Sequence, residues 1–487
     1  MDFEFSIFKH LKIFIMLFNE KNLSLRKLLC SIGIVAVAQF MSCKTDDVEE
    51  VRNESSRPQQ EQKEESSLNY KALFSSNHTM GMDEARELAL DAASLFAGEG
   101  DGLKSGRARQ IEEVRVLRSD ETTLRSGSGE VVAIPDTLAY VCNFADSAGF
   151  AIICADDRVG CPILAYVGEG TLGDEVENPG LAMVLANMED YLIGSIQKFE
   201  TEKDSLLQVA ETQLQGDTTC LRRTYTGKYD LVSEESVAPL INTKWGQDAP
   251  YNSYVPLCPS GGHMLAGCVA IATAQIMAYY EFPKVLDGYS FNWKDMKYSS
   301  CAEYVSVPAR NSIARLVQLI GTHVEMSYGC EGSGANMDNT LTWLRTLGYQ
   351  TSNPSDYNWD QVKSCLDSQI PVIASGFRVM TMKKAKKKKK ILGITVKTTD
   401  SYTPIYSDGH VWVIDGYKTT TIKSYSYTVN TVTDVTAIRY LSSSYSNSFL
   451  SVNWGWDGIH DDYYAAGCFD PGTYDYQYKQ TIYIARR

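Results

Sequence analysis

The chain has 487 residues, a formal net charge of −14 and a hydrophobic fraction of 44%. That apolar fraction is enough for a sizeable core, so the composition excludes a chain that is disordered throughout. The acidic balance excludes a general nucleic-acid binder, because such proteins need a basic surface for phosphates. The length allows two domains and a tail, and 12 cysteines are too sparse for a disulfide scaffold.

Residues 1–43 have the features of an export signal. A short basic region at 21–27 precedes an apolar run of roughly 14 residues, which is too short for a permanent membrane span. The run ends at Ser42 and Cys43, and this end resembles the lipidation site of a bacterial lipoprotein. We therefore expect Cys43 to carry a lipid; an ordinary signal peptide with an incidental Cys43 is the alternative.

The next two segments differ sharply in composition. Residues 44–68 are polar and charged with almost nothing to bury, which predicts a linker. Residues 69–220 predict a small α+β domain without an evident catalytic cluster. Its expected elements are a helix, three strands and a second helix, at 81–96, 137–144, 149–157, 161–167 and 179–202.

The strongest chemical signal is the segment 262–283, in which Cys268 follows Gly267 and opens an apolar helix. A thiol at a helix N-terminus faces the positive end of the backbone dipole, which favours the thiolate. Cys268 is therefore a candidate nucleophile. The alternative is a small buried hydrophobe at a helix start, a common environment for cysteine.

A second signal lies at 407–417, where His410 follows Gly409 as a loop becomes a strand. His410 comes 142 residues after Cys268, a spacing typical of papain-type enzymes. An imidazole beside a thiol can protonate a leaving amine and later activate water. A satisfied structural histidine is the alternative.

The third signal is the segment 449–458, where a strand leads to Asn453 and then to Trp454 and Trp456. A polar side chain can fix the tautomer of a catalytic imidazole, and an indole can shield that bond from water. A strand end and turn with core tryptophans would give the same pattern.

Taken together, these segments resemble the streptopain-like family of papain-fold cysteine peptidases, including its inhibitory propeptide. The matching motifs are Gly267–Met277, Gly409–Gly416 and Val452–Trp456, with Ala155–Val159 and Pro162–Tyr166 in the first domain. The resemblance implies an α+β, papain-like catalytic domain at 221–487, preceded by an α+β inhibitory propeptide domain at 69–220.

The same resemblance implies roles for further residues. Gln247 is expected to supply the side-chain donor of an oxyanion hole, and Asn453 is expected to act with Cys268 and His410. A glycine before the histidine lets a substrate backbone approach closely. Four residues are expected to line the substrate cleft: Gly409, Trp454, Ser333 and Gly334.

The implied activity is that of a cysteine endopeptidase made as a zymogen, which needs neither a metal nor another cofactor. Its expected partners are protein or peptide substrates and its own propeptide as an intramolecular inhibitor. We expect no nucleic-acid partner, and a membrane contact only through the lipid anchor. The expected location is the outer membrane or cell surface, with release of a mature enzyme as a further possibility. Activation is expected to follow a cut in the polar segment 213–238.

Two rival functions stay open at this point. One is another acyl-transfer enzyme on the same fold, such as an amidase or transglutaminase, and the other is a non-catalytic surface binding lipoprotein. Two insertions relative to the family flank the His410 strand and are predicted to form hairpins. One holds seven lysines between Lys383 and Lys390 and is predicted to attract acidic substrates, with a solvated basic loop as the alternative.

Overall fold

The structure is a computed structural model. It describes residues 62–66, 68–96, 109–118, 123–125, 131–173, 175–213, 221–391, 394–430, 438–470 and 478–487. The predicted signal segment with Cys43 and most of the predicted linker lie outside these residues.

The N-terminal region, up to Gln213, combines helices with short strands, which pair antiparallel except for β1, the partner of β15 in a parallel pair. Its elements are α1 (Tyr70–Phe74), α2 (Met82–Phe96), α3 (Pro179–Gln213), β1 (Gln62–Ser66), β2 (Ile111–Leu117), β3 (Thr123–Arg125), β4 (Val131–Ala133), β5 (Ala139–Phe144), β6 (Phe150–Cys154) and β7 (Ile163–Val167). Helix α2 buries one stripe that includes Ala85, Leu88 and Ala92, a spacing that places them on one helix face. Its first turn carries Asp83 and Glu84, which the helix dipole favours there.

The C-terminal region begins with a long strand, continues with five α-helices and four short strands, and ends with five further strands among the described residues. Its helices are α4 (Cys268–Tyr280), α5 (Trp293–Met296), α6 (Val307–His323), α7 (Met337–Thr346) and α8 (Trp359–Asp367). Its strands are β8 (Leu221–Val237), β9 (Val285–Leu286), β10 (Tyr289–Ser290), β11 (Gln350–Thr351), β12 (Ser355–Asp356), β13 (Val372–Ile391), β14 (Ile394–Asn430), β15 (Ile438–Asn453), β16 (Asp462–Ala465) and β17 (Tyr478–Arg486).

One sheet of 13 strands runs through both regions, in the order β11-β17-β13-β14-β15-β16-β7-β6-β5-β2. The two regions join where β16 pairs antiparallel with β7, with Tyr463 opposite Tyr166 and Tyr464 opposite Ala165. Three further strands lie off this path: β8 pairs with β14, β1 with β15 and β12 with β17. Backbone hydrogen bonds therefore connect the N-terminal region to the C-terminal sheet.

Two cores use opposite faces of β13 and β14, because successive side chains of a strand point to opposite sides. Trp412 and Ile414 belong to a core shared with the N-terminal region. Val411 and Val413 belong to a second core, built around α4 and α6. His410 has the same parity as Trp412, so its side chain is directed toward the face that the N-terminal region covers.

Most of the predicted elements are confirmed. The predicted helix at 81–96 and the three predicted strands are α2, β5, β6 and β7, and the two insertions extend the β13–β14 and β14–β15 hairpins. The predicted helix at 179–202 continues to Gln213. Within the described residues, no helix combines the length and the apolar character needed to cross a membrane.

Most of the polar segment 213–238, where the activating cut is expected, is a paired strand and not an open loop. Residues Leu221–Val237 form β8, whose backbone pairs with Tyr417–Asn430 of β14. The polar, β-branched and aromatic residues of this segment suit an edge strand, which composition alone did not separate from a loop.

Candidate active site

Cys268 is the first residue of α4, and Gly267 supplies the turn before it. Gly267 has φ 92°, and a Cβ at this position would lie 2.8 Å from Sδ of Met326 and 3.2 Å from Cβ of Ser333. A residue with a side chain is therefore excluded both by backbone conformation and by space. The thiol is directed toward β14, where the backbone of Val411, the residue after His410, hydrogen-bonds to it.

Burial controls the ionisation of this thiol. Cys268 is only 8% exposed, and burial raises its pKa above the usual value, although backbone hydrogen bonds from Val411, Val269 and its own amide lower it. The helix N-terminus was expected to favour the thiolate. In the complete chain the desolvation of the charged form outweighs that effect, so the neutral thiol is favoured.

His410 lies on β14 and is almost completely buried. Its Nε2 donates a hydrogen bond to the carbonyl oxygen of Trp454 at 2.8 Å. This bond fixes the tautomer in which Nδ1 is unprotonated, and Nδ1 is then the nitrogen that can accept a proton from a thiol. Burial lowers the pKa of His410 to about 4, so the imidazole is neutral at pH 7.

Three tryptophans surround the imidazole. The ring of Trp412 is stacked at 6.3 Å from it and the ring of Trp456 is edge-on at 6.3 Å. The backbone of Trp454 is held by Asp461, whose Oδ1 accepts its N–H at 2.7 Å. These contacts exclude water from the histidine and hold the carbonyl that orients it.

The structure places Asn453 away from the imidazole. Its Oδ1 accepts hydrogen bonds from Nε2 of Gln275 at 2.8 Å and from the N–H of Gly455 at 3.1 Å, and its Nδ2 donates to the carbonyl of Thr243 at 2.7 Å. The expectation that Asn453 orients His410 through its side chain therefore needs correction. The residue that does so is its neighbour Trp454, through the main chain.

Gln247 is buried and lies beside the start of α4. Its carbonyl oxygen accepts the N–H of Ala266, two residues before Cys268, at 2.9 Å. Gly246 next to it is in contact with the carboxylate of Asp457, which would lie 2.2 Å from a Cβ at that position. The segment is thus fixed on both sides of Gln247.

The predicted cleft residues fall into two groups. Ser333 contacts Gly267, and its Oγ donates to the carbonyl of Leu265 at 2.7 Å, so the 327–334 loop lies against the residues that precede Cys268. Gly334 closes this loop through backbone hydrogen bonds with Ser327. A disulfide between Cys258 and Cys330 joins this loop to the chain that leads to Cys268.

The other two cleft candidates lie under neighbouring aromatic rings. Gly409 is packed against the ring of Phe377, which would lie 2.3 Å from a Cβ at that position. Trp454 is fully buried, and its Nε1 donates to the carbonyl of His460 at 2.9 Å. The need for glycine at position 409 is therefore explained by Phe377.

The N-terminus of α3 covers the histidine. A Cβ at Gly180 would lie 2.3 Å from Cε3 of Trp454 and 2.9 Å from Cδ2 of His410, so only glycine fits here. Asn178 caps this helix by accepting the N–H of Gly180 at 2.9 Å, and its Nδ2 donates to the carbonyl of Ile459 at 3.0 Å. The helix predicted at 179–202 gave no indication of this contact; the Asn-Pro-Gly start at residues 178–180 was the available signal.

Within the described residues, no group of three or more His, Cys, Asp or Glu side chains is arranged to hold a metal ion. The chemistry that the site offers is that of a thiol, an oriented imidazole and a side-chain amide. These are the groups that acyl transfer through a thioester requires.

Comparisons with known proteins show which proteins the chain is similar to. The profile of the Peptidase C10 family matches residues 245–464, and that of the Spi protease inhibitor matches residues 85–192. Streptopain of Streptococcus pyogenes is 23% identical over 431 residues, which cover 79% of this chain and 85% of streptopain.

Two further proteins are similar over large parts of the chain. The thiol protease/hemagglutinin PrtT of Porphyromonas gingivalis is 30% identical over 375 residues, which cover 69% of this chain but 35% of PrtT. A solved fragment of Prevotella intermedia prointerpain A is 22% identical, with a TM-score of 0.44, over 77% of this chain and 98% of the fragment. The chain therefore belongs to the peptidase C10 family and is a cysteine peptidase made as a zymogen, with a Spi-type inhibitor domain before its peptidase domain.

Proposed function

We propose that the chain is an endopeptidase in which Cys268 is the nucleophile, His410 is the proton carrier and Gln247 stabilises the oxyanion. The observation that carries the proposal is the convergence of two segments on the start of α4. The backbone next to His410 hydrogen-bonds to the Cys268 thiol, and the carbonyl of Gln247 is hydrogen-bonded two residues before it.

In the uncut chain the His410 side chain is directed to the opposite face of β14 from the α4 core, so the proposed steps require it to reach Cys268 once the inhibitor domain leaves. Nδ1 of His410 takes the thiol proton, and the Cys268 thiolate attacks the carbonyl carbon of a peptide bond. The amide of Gln247 and the N–H of Cys268 donate to the resulting oxyanion. His410 then protonates the leaving amine, and a water molecule that it deprotonates hydrolyses the thioester.

Latency is proposed to arise from the inhibitor domain covering the histidine. The N-terminus of α3 lies on His410 and Trp454 through Gly180, which excludes both water and substrate from that side. Burial keeps the thiol and the imidazole neutral, so the thiolate–imidazolium pair does not form until this helix leaves.

The surface location remains a proposal that rests on residues 21–43. We propose that the chain is exported and anchored at the outer membrane or cell surface through a lipid on Cys43, with residues 44–68 as a tether. Incorporation of a labelled fatty acid that is lost in Cys43→Ser would support the anchor. Equal labelling of the two proteins would contradict it.

The test of the activity uses the chain from residue 44, as wild type, Cys268→Ala and Cys301→Ala, with mass spectrometry of casein digests under reducing conditions. Cys301 is a free, partly exposed thiol and serves as the matched control. We expect peptide products from the wild type and Cys301→Ala, and none from Cys268→Ala. Deamidated or cross-linked casein without peptides would indicate an amidase or transglutaminase, and equal behaviour of all three proteins would indicate a binding protein.

A further inference from the structure

A buried amide network joins three segments behind the site, with Gln275 at its centre. Gln275 lies on α4, two turns after Cys268, and is completely buried. Its Oε1 accepts from Oγ1 of Thr243 at 3.0 Å and from the N–H of Trp245 at 3.3 Å. Its Nε2 donates to Oδ1 of Asn453 at 2.8 Å.

The network is closed on the far side by Asn453. Its Nδ2 donates to the carbonyl of Thr243 at 2.7 Å, so Thr243 is bonded to both amides. Its Oδ1 also accepts the N–H of Gly455 at 3.1 Å. Every bonding atom of the two amides therefore has a partner within the described residues, and the partners come from three separate parts of the chain.

Each of these parts carries one functional group of the proposed site. Helix α4 carries Cys268, the segment after Trp245 carries Gln247, and Asn453 immediately precedes Trp454, whose carbonyl orients His410. Gln275 contacts Trp245 two residues before Gln247, while Ala266 binds the carbonyl of Gln247 itself. The oxyanion segment is thus bonded at one point to the helix of the nucleophile and at a second point to the turn that precedes this helix.

A polar network in this position is costly to leave incomplete. Gln275 lies among apolar residues of the α4 core, where an unpaired N–H or amide is strongly unfavourable because water cannot replace the lost partner. Replacing Gln275 by an apolar residue would remove the acceptor of the Trp245 N–H and the donor to Asn453. We expect the segment that holds Gln247 to shift, because the hydrogen bond that remains, from Ala266, fixes the carbonyl of Gln247 but not the residues before it.

We infer that Gln275 is a positioning residue for the oxyanion hole: it sets the position of Gln247 relative to Cys268 without touching substrate. The inference rests on the proposed function above. Gln275 thus affects the stabilisation of the oxyanion, and it has little effect on the reactivity of the thiol or on substrate binding.

The experiment compares processed wild type, Gln275→Leu, Gln275→Glu and Gln247→Ala, with Thr273→Val as control. Thr273 is equally buried on α4, but its hydroxyl bonds within the helix to the carbonyl of Val269. Three quantities are measured: kcat and KM for a peptide substrate, the inhibition constant of a peptide aldehyde, and the rate of Cys268 alkylation by iodoacetamide. The aldehyde adduct places an oxygen in the oxyanion hole, whereas alkylation does not use that hole.

We expect Gln275→Leu to lower kcat by about 10- to 100-fold, below the roughly 100- to 1000-fold loss from removal of an oxyanion donor. The aldehyde affinity should fall by a similar factor, while KM and the alkylation rate stay within about 2-fold. Gln275→Glu keeps the acceptor and, when protonated, the donor, so it should recover activity at low pH and lose it as pH rises. The double variant Gln275→Leu, Gln247→Ala should have a kcat only slightly below that of Gln247→Ala alone, because both substitutions act on one interaction.

Three outcomes would overturn the inference. A proportional loss of alkylation rate together with kcat would make Gln275 a general structural residue. Unchanged kinetics in both Gln275 variants, or full additivity with Gln247→Ala, would separate it from the oxyanion hole. If Gln275→Leu does not fold, Gln275→Glu is tested in the same way: its aldehyde affinity should fall while its alkylation rate stays near that of the wild type. A wild type that is alkylated at Cys268 but cleaves no peptide would refute the proposed function instead.

Discussion

At the scale of single residues, the sequence shows which reactive side chains the site contains but not which groups hold them in place. The motifs around Cys268 and His410 could be found in the sequence because each combines a reactive group with a glycine turn. The partner of His410 could not, because a main-chain carbonyl such as that of Trp454 leaves no trace in residue type. The sequence therefore favoured Asn453, whose amide is occupied by Gln275 and Thr243 instead.

Asp461 gives a pH-dependent prediction at this scale. Burial raises the pKa of its carboxyl to about 8, although the N–H of Trp454 and the charge of Lys244 lower it. The folded zymogen thus binds a proton that the unfolded chain loses near pH 4, so this group's contribution to stability falls as pH rises from about 4 to about 8. Asparagine is neutral at every pH in this range. The unfolding temperature of Asp461→Asn should therefore increase relative to that of the wild type as pH rises from about 4 to about 8.

Thermal unfolding of wild type and Asp461→Asn zymogens between pH 4 and pH 8 measures this difference. Each chain should also carry Cys268→Ala, so that self-cleavage does not alter the sample. A difference in unfolding temperature that is constant with pH, or that changes in the opposite direction, would contradict the raised pKa.

At the scale of elements, local patterns predicted most helices and strands but not their pairing. Helix α2 shows a clear apolar stripe and the strands β5 to β7 are continuous apolar runs, so both were readable. Strand β8 was not, because its residues are polar and its pairing partner lies almost 200 residues later in β14. The contact of α3 with His410 is equally non-local.

Strand β8 narrows the position of the activating cut. A protease needs an unpaired extended segment, whereas residues from Leu221 onward pair with β14. Glu235 is also bound by Lys363 at 3.1 Å, and the N–H of Ile241 by Oδ2 of Asp415 at 3.2 Å. We expect the first residue of the processed chain to lie between 214 and 221, as determined by N-terminal sequencing. A first residue inside 225–237 would show that β8 does not protect this segment.

Helix α3 gives a prediction about latency. Leucine at position 180 would overlap Trp454 and His410, so the start of the helix must move away from the site. Gly180→Leu should therefore lower the unfolding temperature of the zymogen and raise the labelling of Cys268 in the uncut chain. Gly81→Leu is the matched control, because no atom lies within 4 Å of a Cβ at Gly81. Equal labelling of the two variants would mean that α3 does not restrain the site.

At the scale of the whole molecule, the inhibitor and peptidase domains share one sheet and one core. Strand β7 continues the sheet at β16, and one apolar cluster contains residues of α2 and α3 together with Trp412, Phe449 and Trp454. The face of the sheet that bears His410 is thus covered by apolar side chains of the inhibitor domain. We therefore expect the two parts to stay associated after a cut in the chain, and activity to require that the inhibitor domain leave or be degraded.

The central claim is that Cys268 is a nucleophile whose reactivity depends on His410 and is suppressed by the inhibitor domain. The most direct test is iodoacetamide labelling, located by mass spectrometry, of uncut and processed wild type and of processed His410→Ala. We predict rapid labelling of Cys268 only in the processed wild type, and labelling of the uncut chain that needs alkaline pH because burial raises the pKa of the thiol. Equal labelling of all three proteins, or preferential labelling of the partly exposed Cys301 or Cys365, would contradict the claim.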